Sequence, residues 1–236
     1  MSLIGNLCSS LCSNLEGDAK NRESQRTIDA SIRLPLLSLF KAALGWMLVA
    51  TVFGLITSIK LHTPGFIDEC QYMTYGKVEP IFWNTLVYGW LFNAGLACSV
   101  FLLARLGGSA LKHGLFLTIS AAIWNVAVAL GVIGIMMGDQ LPYELLEFPS
   151  YVTPILFVSF LGMGVWCAMA FRSRVHRTSY VSQWWILTAL FSFAWIYSGA
   201  QIMLVCSPAQ GAFQTLVNAW YVENVFGLLI APLAFA

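Results

Sequence analysis

Residues 115–137 read LFLTISAAIWNVAVALGVIGIMM, a segment without a single charged side chain. A helix of about 20 apolar residues, rising 1.5 Å per residue, is long enough to cross the ~30 Å hydrocarbon layer of a membrane. The apolar residues run continuously and do not alternate with polar ones, so the pattern indicates a transmembrane helix and excludes a barrel strand. This segment decides the fold class.

Five further segments of the same character flank it. They are residues 37–59, 81–103, 151–171, 184–206 and 216–236. Across the 236 residues, 58% are hydrophobic and 10% are charged, and the mean hydropathy is +0.75, which excludes an ordinary soluble domain. We predict an all-α, polytopic membrane bundle of about six transmembrane helices.

The chain is expected to divide at Pro35. Residues 1–34 are polar and mixed in charge, and we expect a flexible or surface-lying cytoplasmic arm that ends where Pro35 begins the first span. Residues 35–236 then form one transmembrane domain. Because the sequence stops at Ala236 without a charged flank, we expect either that the polypeptide continues, which we favour, or that a partner completes the sixth helix.

The basic residues predict the orientation. Only Lys60 and Lys77 lie on one side of the predicted membrane. The other side carries Lys20, Arg22, Arg26, Arg33, Lys41, Arg105, Lys112, Arg172, Arg174 and Arg177. The positive-inside rule therefore puts the N-terminus in the cytoplasm. We expect the membrane to be a bacterial inner membrane. Basic residues at helix ends indicate contact with lipid headgroups, and we predict no nucleic-acid partner.

Histidines and cysteines argue against a cofactor held by this chain alone. His62, His113 and His176 lie in or beside loops, so no two of them can clamp a heme inside the membrane. We therefore predict no cofactor and no catalytic residue. Free thiols are the simplest interpretation of the six cysteines, and a disulfide between Cys70 and Cys206 is the alternative.

Glu223 is the main candidate for chemistry inside the membrane, because a buried carboxylate costs several kcal/mol unless it is paired, protonated or bound to a cation. We expect it to point into the bundle as a neutral acid that donates a hydrogen bond. The alternative is a proton or cation site. Buried amides are expected to bond between helices. They are Asn84, Asn93, Asn125 and Gln201.

Four short motifs resemble, in order, the first half of subunit I of cbb3-type heme-copper oxidases. They are Tyr75–Asn84, which enters the second span, residues 142–149 in an outer loop, residues 180–185 before the fifth span, and residues 219–227 in the last span. The resemblance implies helices I to VI of that subunit, with Asn84 and Asn224 as framework positions. It further implies that the spans of Asn84 and Tyr197 neighbour the last helix, which makes these two residues the expected acceptors for Glu223. It also implies partners among the subunits of a respiratory complex.

This chain departs from the family where the metals bind. The family's heme ligand in helix II corresponds to Phe82, its copper ligand in helix VI to Glu223, and a helix V histidine to Tyr197. Phenylalanine cannot bind iron, so we predict a degenerate form in which Phe82 and Tyr197 fill the space of a porphyrin and close its pocket. The resemblance also places residues 138–150 at the outer mouth of the bundle, where Glu144 and Glu147 are either a divalent-cation site or, as we favour, solvated carboxylates.

Three functions follow as hypotheses. The first is a catalytically inactive scaffold or accessory subunit of a respiratory electron-transfer complex. The second is a working terminal oxidase subunit whose ligands come from a second half of the protein. The third is an ion or proton transport bundle centred on Glu223.

Overall fold

The computed structural model describes residues 2–67, 69–175, 179–206 and 210–236, with side chains from residue 22 onward. His176 and Arg177 lie outside the described residues, as does the side chain of Lys20. Within the described part, six helices are long and apolar enough to cross a membrane. They are α1 (Ser2–His62), α2 (Tyr75–Gly107), α3 (Gly114–Met137), α4 (Thr153–Arg172), α5 (Val181–Cys206) and α6 (Ala212–Phe235). The predicted all-α membrane bundle is confirmed at this level.

The start of α1 differs from the prediction. We expected Pro35 to open the first span, but Pro35 lies inside α1, which is helical from Ser2 to His62. Residues 2–34 are therefore the first half of a long helix. The ring of Pro35 disrupts only the bond to the preceding turn, and the contacts of α1 with α2 and α3 compensate. Where α1 enters the membrane stays a prediction.

Helix α2 lies at the centre of the bundle and contacts each of the other five helices. Its inward side chains, among them Val87, Phe92 and Leu96, are fully buried. In contrast, α1 is peripheral and leaves Leu48 and Leu55 more than 60% exposed. An apolar surface of this kind fits contact with lipid, where helix packing rather than water exclusion holds the bundle together.

Three of the helices contain wider, π-helical turns. These turns span Thr85–Leu91 in α2, Ile202–Cys206 in α5 and Val225–Ile230 in α6. Each begins directly after an amide residue, namely Asn84, Gln201 or Asn224. A π-turn adds one residue to a helix and rotates the side chains that follow, and such turns occur often at functional sites.

An amide pair joins three helices in the middle of the bundle. Asn93 of α2 and Asn125 of α3 exchange two side-chain hydrogen bonds of 3.1 Å, and the indole of Trp46 in α1 donates to Asn125 at 2.7 Å. The prediction of amide bonds between helices is confirmed here. Gln201 makes no such bond among the described residues.

The cysteines of the described side chains are unpaired. Cys70, Cys98, Cys167 and Cys206 are all free thiols. The alternative of a disulfide between Cys70 and Cys206 is therefore wrong, although both residues lie toward the same end of the bundle.

Candidate functional site at the mouth of the bundle

Residues 138–152, the mouth loop, connect α3 to α4 and fold over one end of the bundle. Leu145, Leu146, Phe148 and Val152 are each less than 5% exposed. A loop usually lies on the surface because its backbone needs partners, so this burial needs dedicated hydrogen bonds. The prediction that the loop packs against the bundle mouth is confirmed, while the side of the membrane on which it lies stays a prediction.

Two glycines in α3 let the mouth loop approach so closely. A Cβ atom on Gly131 would overlap the ring of Phe148, and one on Gly134 would overlap the ring of Pro149. The spacing of three residues puts both glycines on one face of α3. The loop therefore rests on a flat strip of helix backbone.

The mouth loop is also tied to α6. Asn218 of α6 donates to the backbone carbonyl of Glu144 at 3.1 Å and accepts from its N–H at 3.0 Å. One turn earlier, Gln214 donates to the hydroxyl of Tyr143 at 2.5 Å. These bonds satisfy the backbone N–H and carbonyl of Glu144 and hold the mouth loop against α6.

Glu147 is the acidic residue of the mouth loop that points inward. It is only 9% exposed, and its carboxylate accepts a 2.6 Å hydrogen bond from the side chain of Asn84 in α2. Asn84 is fully buried and also donates to the carbonyl of Pro80 at 2.9 Å, which fixes the orientation of its amide. Burial raises the pKa of Glu147 from 4.5 to about 7, against the lowering effect of the Asn84 bond.

Beside this pair, two buried tyrosines link α2, α6 and the mouth loop. The hydroxyl of Tyr221 lies 2.6 Å from that of Tyr88, and Tyr88 donates to the carbonyl of Leu145 at 2.6 Å. Because Tyr88 uses its one proton on Leu145, Tyr221 is the donor to Tyr88. Leu145 has a left-handed φ of 59°, which turns its carbonyl toward the tyrosines.

Glu147 is the group of this cluster that can exchange a proton near neutral pH. The tyrosine chain ends on a backbone carbonyl, which accepts a hydrogen bond but does not take up and pass on a proton. Among the described residues, no hydrogen bond joins Glu147 to Tyr88. The tyrosines therefore hold the loop in place, and Glu147 is the group that responds to pH near neutrality.

The structure does not bring the two predicted cation ligands together. Glu144 is exposed and is held through its backbone, whereas Glu147 is buried against Asn84. In the part of the chain that the structure describes, no three acidic, histidine or cysteine side chains converge as a metal site. For Glu147 the solvated state that we favoured is wrong, because the loop backbone folds inward at Leu145.

Phe82 and Tyr197 lie apart. The ring of Phe82 packs toward α1, where a Cβ atom on Gly54 would come within 2.9 Å of it. Tyr197 stacks on Phe193 with ring centroids 5.4 Å apart, and it borders Tyr221 at 6.3 Å. The two residues do not share one pocket, although Tyr197 does fill the core as expected.

Glu223 departs most from its predicted position. Its side chain is exposed on α6, and among the described residues it has no hydrogen-bond partner. Asn84, one of the two expected acceptors, binds Glu147 instead. The inward orientation is therefore wrong for this bundle. The physical reason is that Tyr221 and Val225 occupy the inner face of α6, and both are fully buried.

Sequence reasoning missed Tyr88, Tyr221 and Trp124. A tyrosine within an apolar span needs a partner for its hydroxyl when it is buried, and this was the available signal. Trp124 meets the same need by donating its indole N–H to the carbonyl of Tyr88 at 3.0 Å. That carbonyl lies in the π-turn of α2, where the regular helix bond is altered.

No protein-family model matches this chain, and no curated protein matches it either. The resemblance to cbb3-type subunit I therefore rests on the four motifs quoted above.

Proposed function

We propose that this chain is a membrane scaffold subunit of a respiratory electron-transfer complex, and that it binds a partner through the α6 face around Glu223. The observation that carries the proposal is the outward orientation of Glu223, an exposed carboxylate about halfway along a membrane-spanning helix. A carboxylate facing lipid at this depth is costly unless a partner covers it. The class of complex comes from the motif resemblance alone.

The interior of the bundle supports a structural role. Rings from five helices fill the centre, where Phe92 lies 4.3 Å from Trp124 and Phe193 lies 4.7 Å from Phe160, centroid to centroid. Between α2 and α6, the hydroxyl contact of Tyr88 with Tyr221 occupies the space. This packing favours a scaffold over a bundle that conducts ions along its own axis.

The surface next to Glu223 suits an apolar partner helix. A groove of about 380 Å³ lies between α5 and α6 and is lined by Trp195, Met203, Leu216 and Trp220, among others. Trp195 and Trp220 meet edge to face at 6.0 Å and form one wall. Trp220 and Glu223 are three residues apart, so the groove and the carboxylate belong to one face of α6.

The partner is expected to be a transmembrane helix that carries a lysine, an arginine or a neutral hydrogen-bond donor at the depth of Glu223. Polar contacts between membrane helices contribute about 0.6–2 kcal/mol each. The carboxylate therefore determines which helix binds and how that helix is aligned along α6. The apolar groove supplies the contact area.

Photo-crosslinking in native membranes tests this proposal. A photoreactive residue at Ala219, one turn from Glu223 on the exposed face of α6, should give a crosslink to a membrane protein of defined size. The matched control is the same residue at Val126, an exposed position on α3. A crosslinked product that lacks a basic or donor residue at the facing depth, or equal crosslinking from Val126, would contradict the proposal.

An optical spectrum separates the scaffold from the oxidase alternative. We expect the purified chain to show no heme bands and the crosslinked complex to show them. Heme bands from the chain alone would overturn the assignment as an inactive subunit.

A further inference from the structure

The opposite end of the bundle carries a basic cavity that the proposed function does not use. It lies between α1 and α2, has a volume of about 580 Å³, and is lined by Arg26, Arg33 and Arg105 together with Asp29. Three arginines against one aspartate leave this lining net positive. Clustered arginines at the end of a membrane bundle repel one another unless an anion lies between them.

The shape of the cavity combines a charged end with an apolar wall. On α1, Arg26, Ala30, Arg33 and Leu37 follow a spacing of four, three and four residues, so they share one helix face. Eleven residues of helix extend about 16 Å. Phe101 of α2 adds to the apolar part of the lining. This length spans a headgroup and the first part of an acyl chain.

Polar atoms in the cavity wall lack partners. One guanidinium nitrogen of Arg105 binds Asp29 at 2.9 Å, but its Nε is buried and has no hydrogen-bond acceptor among the described residues. Oδ1 of Asp29 is likewise buried without a donor. Leaving a buried donor or acceptor unsatisfied destabilises the fold, so a ligand that supplies an acceptor and a hydroxyl would be favoured.

From these observations we propose that the cavity binds one anionic phospholipid, with its phosphate between Arg26, Arg33 and Arg105 and an acyl chain against Leu37 and Phe101. A phosphate oxygen accepts from Nε of Arg105, and a headgroup hydroxyl, as in phosphatidylglycerol, donates to Oδ1 of Asp29. Arginine is suited to this role because its planar guanidinium forms paired bonds to phosphate. Free phosphate shares the headgroup chemistry but would leave the apolar wall uncovered.

Native mass spectrometry of the delipidated protein tests the site. Phosphatidylglycerol should bind with one high-affinity equivalent, and phosphatidylcholine should bind more weakly. The double variant Arg26→Gln with Arg33→Gln should weaken phosphatidylglycerol binding about 30-fold, because each basic residue near an anionic headgroup contributes about a fivefold preference. Each single variant should show about a fivefold loss.

Arg172→Gln is the matched control, because Arg172 is exposed in the last turn of α4, outside the cavity, and the substitution removes the same charge. It should leave the affinity unchanged. Thermal unfolding checks that the variants fold, and Arg26 and Arg33 make no salt bridge among the described residues.

Two outcomes would overturn the lipid site. In the first, Arg172→Gln reduces binding as much as the double variant does, so that only overall charge matters. In the second, inorganic phosphate displaces phosphatidylglycerol at millimolar concentration, so that the apolar wall contributes nothing and the site is one for a free anion.

Discussion

At the scale of single residues, Glu147 is an acidic side chain that the fold largely removes from water. Its carboxyl is buried where the mouth loop meets α2, and the nearby carboxylates of Glu144 and Glu79 also oppose its ionisation. The folded state therefore favours the neutral acid. The contribution of Glu147 to the free energy of unfolding is fully present below the unfolded pKa of about 4.5. This contribution is lost as the pH rises through the folded pKa of about 7.

We therefore predict that the thermal stability of the protein in nanodiscs falls between pH 5 and pH 7.5 and then levels off. The loss is at most about 3 kcal/mol, since each pKa unit corresponds to about 1.4 kcal/mol. Glu147→Gln keeps a hydrogen-bonding group next to Asn84 and should remove this slope. Glu144→Gln removes only one of the smaller causes of the raised pKa of Glu147, at an exposed residue, and should retain most of the slope. If both variants keep the slope, another group is responsible.

The hydrogen-bond chain from Tyr221 to Tyr88 to Leu145 predicts which of the two tyrosine hydroxyls matters more for stability. Tyr88→Phe removes the donor to Leu145 and the acceptor for Tyr221, whereas Tyr221→Phe removes one donor and leaves the bond to Leu145 intact. We expect Tyr88→Phe to cost about 1–3 kcal/mol of unfolding free energy and Tyr221→Phe about 0.5–1.5 kcal/mol. Denaturation in mild detergent measures both. A larger loss from Tyr221→Phe would mean that the donor order is reversed.

At the scale of elements, contact between the mouth loop and α3 depends on the glycine strip. Gly131→Ala should displace the ring of Phe148 and cost about 1–3 kcal/mol, as expected for overpacking. Gly164→Ala is the control, because nothing lies within 4 Å of the added atom on α4, and helix propensity alone should make it neutral or slightly stabilising. Thermal unfolding compares the two. Equal effects would show that the loop does not rest on α3.

The amide pair between α2 and α3 gives a second element-scale prediction. A double-mutant cycle with Asn93→Leu and Asn125→Leu should show a coupling energy of about 0.6 kcal/mol and at most about 1.7 kcal/mol. Because the two side chains exchange two hydrogen bonds, we expect the coupling energy to be stabilising. A coupling near zero would mean that each amide is satisfied equally well without the other.

The transmembrane helices could largely be predicted from the sequence, whereas the positions of Glu147 and Glu223 could not. Six apolar segments predicted six helices because length and hydropathy act locally along the chain. The direction of Glu223 could not be predicted, because rotation of α6 depends on Tyr221 packing against Tyr88, a contact 133 residues apart. The inward fold of Glu147 depends on the left-handed turn at Leu145, and leucine gives no sequence signal for that conformation.

At the scale of the whole molecule, the ionisable groups discussed above lie at the two ends of the bundle and on one outer face. The mouth end carries the Glu147 and tyrosine cluster, and the opposite end carries the arginine cavity. Between them, the centre is filled with aromatic rings. Glu223 lies exposed on the outer face of α6, where we propose that a partner helix covers it.

Blue-native electrophoresis of mildly solubilised native membranes tests this association most directly. The chain of 26.0 kDa should migrate in a larger complex, and Glu223→Gln should keep that complex because an amide still bonds to the partner. Glu223→Leu should release the free chain, while Val126→Leu on exposed α3 should not. Migration of the unaltered chain as a monomer, or a complex that Glu223→Leu leaves intact, would contradict the account.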